Sequence, residues 1–401
     1  MFFRDLAHAL VAQGHTVTVL GCQRTAAAWD DNGVRVRMVG ATRLRGCGWL
    51  VNRLRLQRQI RQLVATEGLD LVEAPDWCGL SAGLRPPCPL VIRCHGSATY
   101  FGHVLHEPVT RGIRLAERLA IRQATSIAAV SRFCADSTAT LFGLGPVSSP
   151  GKTLPTPSSN HFADSAGRPR IPMVSSRARD LPAESAIRVI YNGVDTARFQ
   201  VAGETGVEPG VILYFGTLVR KKGALDLPAI FNRIAAACPQ ARLRIIGRDN
   251  PDRRLGTSSV WTALQTMFTP AAGKRVEYLG PLPHEALQEQ IRRAAVCVFP
   301  SYAEAFPLTW LEAMACGKAL AGYDLPWARE AVGADAGLLS PAGDTAALAD
   351  ALLHLLADHE ARTTLGSRAR LRVEACFSQN RMLNETLEWY TEVLGNKRPA
   401  R

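Results

Sequence analysis

Residues Phe299 to Glu330 read FPSYAEAFPLTWLEAMACGKALAGYDLPWARE, and this stretch sets an apolar strand, two carboxylates and a short helix in register. Val296 to Pro300 reads as a buried strand that runs into a loop carrying Glu304. Pro307 stands where a proline can open a helix without losing a needed N–H. The helix is expected from about Leu308 to Cys316. Gly317 follows as the residue that tolerates a left-handed helix end, and a second apolar run from Ala319 returns to the sheet. At the helix start the N–H groups of Leu308 and Thr309 have no intrahelical acceptor, which favours an anionic group such as a diphosphate. Glu312 lies one turn further on the same face, where its carboxylate can accept hydrogen bonds from vicinal hydroxyls. Glu304 lies eight positions earlier, above the same helix mouth. Taken singly, each glutamate reads as a solvated surface residue. Together they describe a site for a ligand that combines phosphate with hydroxyl groups, and a nucleotide sugar is such a ligand.

The 401 residues suffice for two domains, each with its own core. A hydrophobic content of 47% fits a soluble globular protein, and no apolar run reaches the roughly 20 residues of a membrane span. No signal peptide is legible, because Met1 leads straight into the amphipathic pattern FFRDLAHALVAQGH. The ten cysteines form no C-x-x-C pair and no metal-ligand spacing, which suits reduced thiols in a cytoplasmic protein. The net charge of +12 is concentrated in part at Arg43, Arg45, Arg53, Arg55, Arg58 and Arg61, interleaved with Trp49, Leu50, Leu54, Ile60 and Leu63. Such a segment is either a sheet-covering helix with a basic solvent face or a contact for an anionic membrane surface. No nucleic-acid-binding pattern accompanies it.

Along the chain, short apolar strands alternate with amphipathic helices. Phe2 to Gly14 reads as a helix and His15 to Gly21 as the strand after it. A domain of this kind is expected to open with a strand and a glycine-bearing loop, and neither is legible before that helix. Strands at Val34 to Val39, Leu69 to Pro75, Leu90 to His95 and Ser126 to Ser131, with a helix from about Pro108 to Gln123, imply a parallel sheet covered on both faces. Ligands bind such sheets beyond the carboxyl ends of the strands, where His95 and Ser131 fall. Residues 145–186 are rich in Pro, Ser, Gly and Arg and read as a disordered insertion. Ile187 to Tyr191 resumes the order, and Asn192-Gly193-Val194-Asp195 marks the passage to a second domain. That domain opens with Val211 to Gly216, followed by the basic turn TLVRKKG, in which Arg220 and Lys222 could neutralise a leaving diphosphate.

These segments resemble the retaining glycosyltransferases of family 4, with a GT-B fold. PSYAEAFPLTWLEAMACG is similar to their E-x7-E signature. LAHALVAQGHTVTVL, VIRCHGS, VIYNGVDTARF and YFGTLVRKKGAL are similar to their first helix and second strand, strand-end histidine, interdomain turn and basic phosphate loop. The resemblance implies two Rossmann-like, doubly wound parallel-sheet domains facing a cleft. The expected bounds are 1–191 for the acceptor-side domain, 192–376 for the donor-binding domain, and 377–401 for a helix crossing back to the first domain plus a tail. It implies that Glu312 holds the donor ribose, Glu304 contacts the transferred sugar, and Lys222 with Arg220 stabilises the departing diphosphate. Backbone amides around Phe306, Leu308 and Thr309 would bind phosphate and sugar oxygens, beside Gly216 and Thr217 of the basic loop, and His95 would face the sugar from the first domain. Thr217 and Pro307 stand where relatives usually carry a cation and a glycine. No D-x-D motif occurs, so no cofactor and no metal ion are expected. The implied activity is metal-independent transfer of a hexose from a UDP- or GDP-sugar to a glycan or lipid-linked acceptor in envelope polysaccharide synthesis, in the cytoplasm or at the inner face of the membrane. The alternatives are a sugar-nucleotide epimerase of the same fold and a non-catalytic or N-terminally truncated nucleotide-sugar binder.

Overall fold

The computed structural model describes residues 2–42, 48–145, 187–201, 203 and 206–395. Arg43 and Arg45, and the segment read as an insertion from residue 146 onward, lie outside the described residues.

The first unit comprises α1 (Phe2–Ala12), β1 (Thr18–Gln23), β2 (Ala27–Asp31), β3 (Val34–Gly40), α2 (Gly48–Glu67), β4 (Val72–Pro75) and β5 (Leu90–Cys94). It continues with α3 (Ala98–Val104), α4 (Arg111–Gln123), β6 (Ser126–Ala129), α5 (Arg132–Phe142) and β7 (Arg188–Val189). Its strands form a parallel sheet ordered β4-β5-β6-β7 and a three-stranded sheet ordered β1-β3-β2. The second unit runs from β8 (Val211–Phe215) through α6 (Leu227–Ala237), β9 (Arg242–Ile246), α7 (Val260–Met267), α8 (Pro270–Gly273), β10 (Val276–Tyr278) and α9 (His284–Arg293). Then come β11 (Val296–Phe299), α10 (Leu308–Ala315), β12 (Leu320–Asp324), α11 (Pro326–Val332), β13 (Leu338–Pro341), α12 (Thr345–Ala357) and α13 (His359–Cys376). Its six strands pair in parallel in the order β10-β9-β8-β11-β12-β13. The last helix, α14 (Gln379–Gly395), packs on the first unit.

Three elements differ from the expectation. Strand β2 is antiparallel to β3 and has no apolar signal, because AAWDD is an exposed edge held by its ladder and by the Asn32-Gly33 turn. Helix α3 is too short to show a period; its start is fixed by Ser97 and by Glu117, which accepts from the N–H groups of Ala98 and Thr99 at 2.8 and 3.0 Å. The strand read over Ile187 to Tyr191 pairs only at Arg188–Val189.

The chain passes between the units twice, after β7 and between α13 and α14. The passages touch: Val194 N–H donates to the Phe377 carbonyl and Gln379 N–H to that of Val194, both at 2.9 Å. Gly193 permits the approach, since a Cβ there would fall 2.8 Å from Gln379 Cα. Helix α14 is then fastened by Trp389, whose Nε1 donates to Ser126 Oγ at 2.8 Å. Arg93 fastens it a second time, ion-paired to Glu73 at 2.7 Å and donating to Thr386 Oγ1 at 3.2 Å. An arginine can be fully buried there because its charge is matched by Glu73 and its Nε and Nη2 groups donate hydrogen bonds.

Helix α10 is seated by Trp310, stacked on Phe299 with ring centroids 5.6 Å apart and edge-on to Trp327 at 5.3 Å. The indole lies against Gly322 of β12, where a Cβ would come 2.5 Å from the ring. Gly322→Ala therefore overfills this contact, and a loss of about 1–3 kcal/mol in urea unfolding is expected.

Candidate active site

Parallel pairing brings the loops after the strands to one edge of each sheet, and these edges face each other. A cavity of about 430 Å³ lies between them. The first unit lines it with Trp77, His95, Gly96, Ala98, Phe101 and Val130, the junction with Asn192, and the second unit with Lys221, Glu304, Ala305 and Phe306.

His95 follows β5. Its N–H donates to Asp76 Oδ1 at 3.0 Å, and its ring packs against Phe2 and Phe3 at 4.4 and 5.2 Å and near Trp77 at 6.0 Å. Burial, reinforced by Arg93, pushes the imidazole down to about 3, so it is neutral at physiological pH. Its buried Nε2 has no hydrogen-bond partner among the described residues. Asp76 is pushed up to about 7, chiefly by burial and against the help of the His95 backbone N–H.

Across the cavity, β8 ends at a turn of 3₁₀ helix over Arg220–Lys222. Gly223 closes this turn with φ +66°, so near Pro300 that a Cβ would fall 1.7 Å from the proline carbonyl oxygen. The close approach carries the turn to the loop after β11: Tyr302 N–H donates to the Lys221 carbonyl at 2.8 Å. Lys222 Nζ thereby lies 2.6 Å from Glu304 Oε1 in a mostly buried ion pair. Arg220 is engaged with Asp252 at 3.2 Å. Gly216 is beside Lys222, since a Cβ there would approach Lys222 Cδ to 3.9 Å, and the Thr217 carbonyl accepts from Tyr214 Oη at 3.2 Å.

Pro307 is the N-cap of α10, and Leu308 and Thr309 form its first turn, half-buried. Gly317 ends the helix region with φ +67°. Phe306 is buried, its ring against Tyr191 and Phe377 at 5.2 and 5.1 Å. Glu312 is buried behind the helix mouth. Burial, with Asp5 adding to it and Lys222 and Arg198 opposing, pushes its carboxyl up to about 8.

His95, Glu304 and Phe306 thus line one cavity, with Lys222 held through Glu304. Glu312, Arg220, Gly216, Thr217, Leu308 and Thr309 are not among its lining residues. Sequence reasoning passed over Lys221, whose Nζ lies 3.8 Å from the Phe101 ring centroid, although the RKK run contained it. It also passed over Asp76, Asn192 and Glu330. Glu330 accepts from the N–H groups of Arg132 and Phe133 at 2.6 and 3.1 Å and from Tyr191 Oη at 2.8 Å, joining α11 to the start of α5.

Residues 1–149 match the family described as Glycosyltransferase Family 4, and residues 209–358 match Glycosyl transferases group 1. The glycogen synthase of Mycobacterium tuberculosis (strain ATCC 25618 / H37Rv) is 31% identical over 213 residues, 52% of this chain and 49% of that protein. The 2-deoxystreptamine N-acetyl-D-glucosaminyltransferase of Streptomyces fradiae is 29% identical over 284 residues, 68% of this chain and 57% of that protein. The chain thus spans about half the length of the curated relatives it matches. In fold it is similar to the sucrose-phosphate synthase of Thermosynechococcus elongatus, at a TM-score of 0.74 and 20% identity over 98% of this chain and 93% of that one. Anabaena HepE, solved in complex with UDP and glucose, aligns at 0.68 and 19% identity over 97% and 94%. The architecture is GT-B.

Glu312 keeps in the native state a proton that an unfolded glutamic acid releases near its ordinary value of 4.5. Its contribution therefore lowers stability as pH rises from about 4.5 to about 8. Glu312→Gln removes this cost. Urea titrations are expected to find the variant more stable than the wild type by about 3 kcal/mol at pH 7 and equal to it at pH 4.

Proposed function

The chain belongs to the GT-B glycosyltransferases of the family 4 type, and on that footing we propose that it transfers a hexose from a UDP- or GDP-sugar to a glycan or lipid-linked acceptor. The transfer proceeds with retention and without a metal ion, in the service of envelope polysaccharide synthesis. The observation that carries this reading is the Lys222–Glu304 pair, whose carboxylate lines the interdomain cavity opposite His95.

In this reading a diphosphate entering at the mouth of α10 competes for Lys222. Glu304 is then released from the pair and turns its oxygens to the sugar hydroxyls. Lys222, with Arg220 beside it, meets the charge that develops on the departing diphosphate, where a fixed cation acts most strongly. Glu312 accepts from the ribose hydroxyls. The amides around Phe306, Leu308 and Thr309 and the loop at Gly216 and Thr217 hold phosphate and sugar oxygens. The acceptor attacks from the face the diphosphate leaves, and a donor phosphate oxygen takes its proton. His95, kept neutral, serves as a hydrogen-bond partner of the sugar and carries no charge to it.

Lys222→Ala is expected to cut kcat by 100-fold or more while changing donor affinity much less, read as nucleotide released from a panel of UDP- and GDP-hexoses. Unchanged kinetics would sink the role of Lys222. Binding without release would favour the non-catalytic reading, and sugar isomerisation without release an epimerase.

The reading places the enzyme at the inner face of the cell membrane. No described helix is long and apolar enough to cross a membrane, and the association proposed is peripheral. Arg53, Arg55, Arg58 and Arg61 lie on α2, which leaves Trp49, Leu50 and Leu54 exposed; beside it Trp77 and Leu80 are also exposed. Helix α4 adds exposed Leu115 and Leu119 among Arg111, Arg114, Arg118 and Arg122, and none of these four has an acidic partner among the described residues. Basic and apolar groups on one face suit anionic lipid. Flotation with anionic vesicles and failure to float with neutral ones is the expected result; indifference to lipid charge would retire the membrane assignment.

A further inference from the structure

Three successive carbonyls of the loop before α10 are each held by a side chain from outside the second unit. Tyr100 Oη, on α3, donates to the Glu304 carbonyl at 2.7 Å. Ser131 Oγ, which also caps α5, donates to that of Ala305 at 2.6 Å. Asn192 Nδ2, at the junction, donates to that of Phe306 at 3.0 Å. All three side chains are buried.

A trans peptide is planar, with its N–H opposite its carbonyl. Fixing the Glu304 and Ala305 carbonyls therefore fixes the directions of the Ala305 and Phe306 N–H groups. Both residues are buried, and neither N–H has a hydrogen-bond acceptor among the described residues. Buried backbone donors are rarely left without a partner, so two of them, on successive residues that line the cavity, call for a ligand oxygen. The Phe306 carbonyl, held by Asn192, precedes Pro307, which has no N–H, so Asn192 anchors the end of the loop without aiming an amide.

We propose that Tyr100 and Ser131 are positioning residues: the acceptor-side domain sets the orientation of the Ala305 and Phe306 amides, and so builds the donor site only when the two domains are closed. This rests on the reading of the cavity as a nucleotide-sugar site. When the domains part, the Glu304 and Ala305 carbonyls lose their donors together and their peptide planes are free to rotate. Donor capture and closure are then one event.

The test compares wild type, Tyr100→Phe and Ser131→Ala. Tyr100→Phe removes the hydroxyl that holds the Glu304 carbonyl, and Ser131→Ala the one that holds the Ala305 carbonyl. A merely structural role predicts a lowered Tm with unchanged kinetics. The positioning role predicts kcat lowered tenfold or more in each variant, with the KM for acceptor unchanged, in protein whose circular dichroism matches wild type. Tyr191→Phe is the control, because it removes only the hydroxyl that reaches Glu330 across the same boundary and leaves the ring against Phe306 in place, and its kcat should stay within twofold of wild type.

Calorimetry with UDP-glucose and GDP-mannose supplies a readout that needs no turnover. The sugar nucleotide that wild type binds should bind tenfold more weakly to Tyr100→Phe. Equal affinity and equal kcat in a folded Tyr100→Phe would overturn the proposal while leaving the donor site in place, as would an equal loss in Tyr191→Phe. Failure of wild type to bind either nucleotide sugar would instead overturn the donor-site reading beneath it.

Discussion

Parallel pairing is the constraint on which this molecule depends. It sends the loops that follow parallel strands to the same edge of their sheet, so His95 after β5, Ser131 after β6, the basic turn after β8 and Glu304 after β11 are gathered without any of them being near in sequence. The edges then face each other, and the price of that closeness is that polar backbone must be satisfied across a boundary between domains. The carbonyls of residues 304–306 and the first N–H groups of α5 show it being met by single side chains, Tyr100, Ser131, Asn192 and Glu330.

What the sequence disclosed was whatever is local and periodic. The strand, loop and helix around Glu304 and Glu312 were legible because an apolar run, a proline and a glycine punctuate them, and Ser131 was legible as a strand-end residue. Strand β2 was hidden because an exposed edge needs no apolar residues. Lys221 was hidden for a different reason: within RKK the spacing does not say which cation turns inward, and the answer depends on Phe101 from the other domain. Asn192 read as a turn residue, which it is, and its second role requires Phe306 to be brought against it. Glu330 lies inside the quoted stretch and was still missed, because its partners are 198 and 197 positions away.

Burial does much of the chemistry in the cleft. It holds His95 neutral and raises Asp76 and Glu312, so the unliganded site carries less charge than its composition suggests. In the same cleft Lys222 Nζ lies 2.6 Å from Glu304 Oε1. A site of this kind is held ready at low internal repulsion, and each ligand group that enters exchanges one internal partner for another.

The double passage of the chain between the units has a mechanical consequence. A single linker would leave one domain free to swivel and slide on the other. Two strands of chain, hydrogen-bonded side by side at Val194 and Gln379 and pressed together at Gly193, act as the leaves of a door hinge: they permit rotation about the line they define and resist torsion and shear. The cleft edges therefore meet in one register each time they meet, and the molecule need not search for alignment.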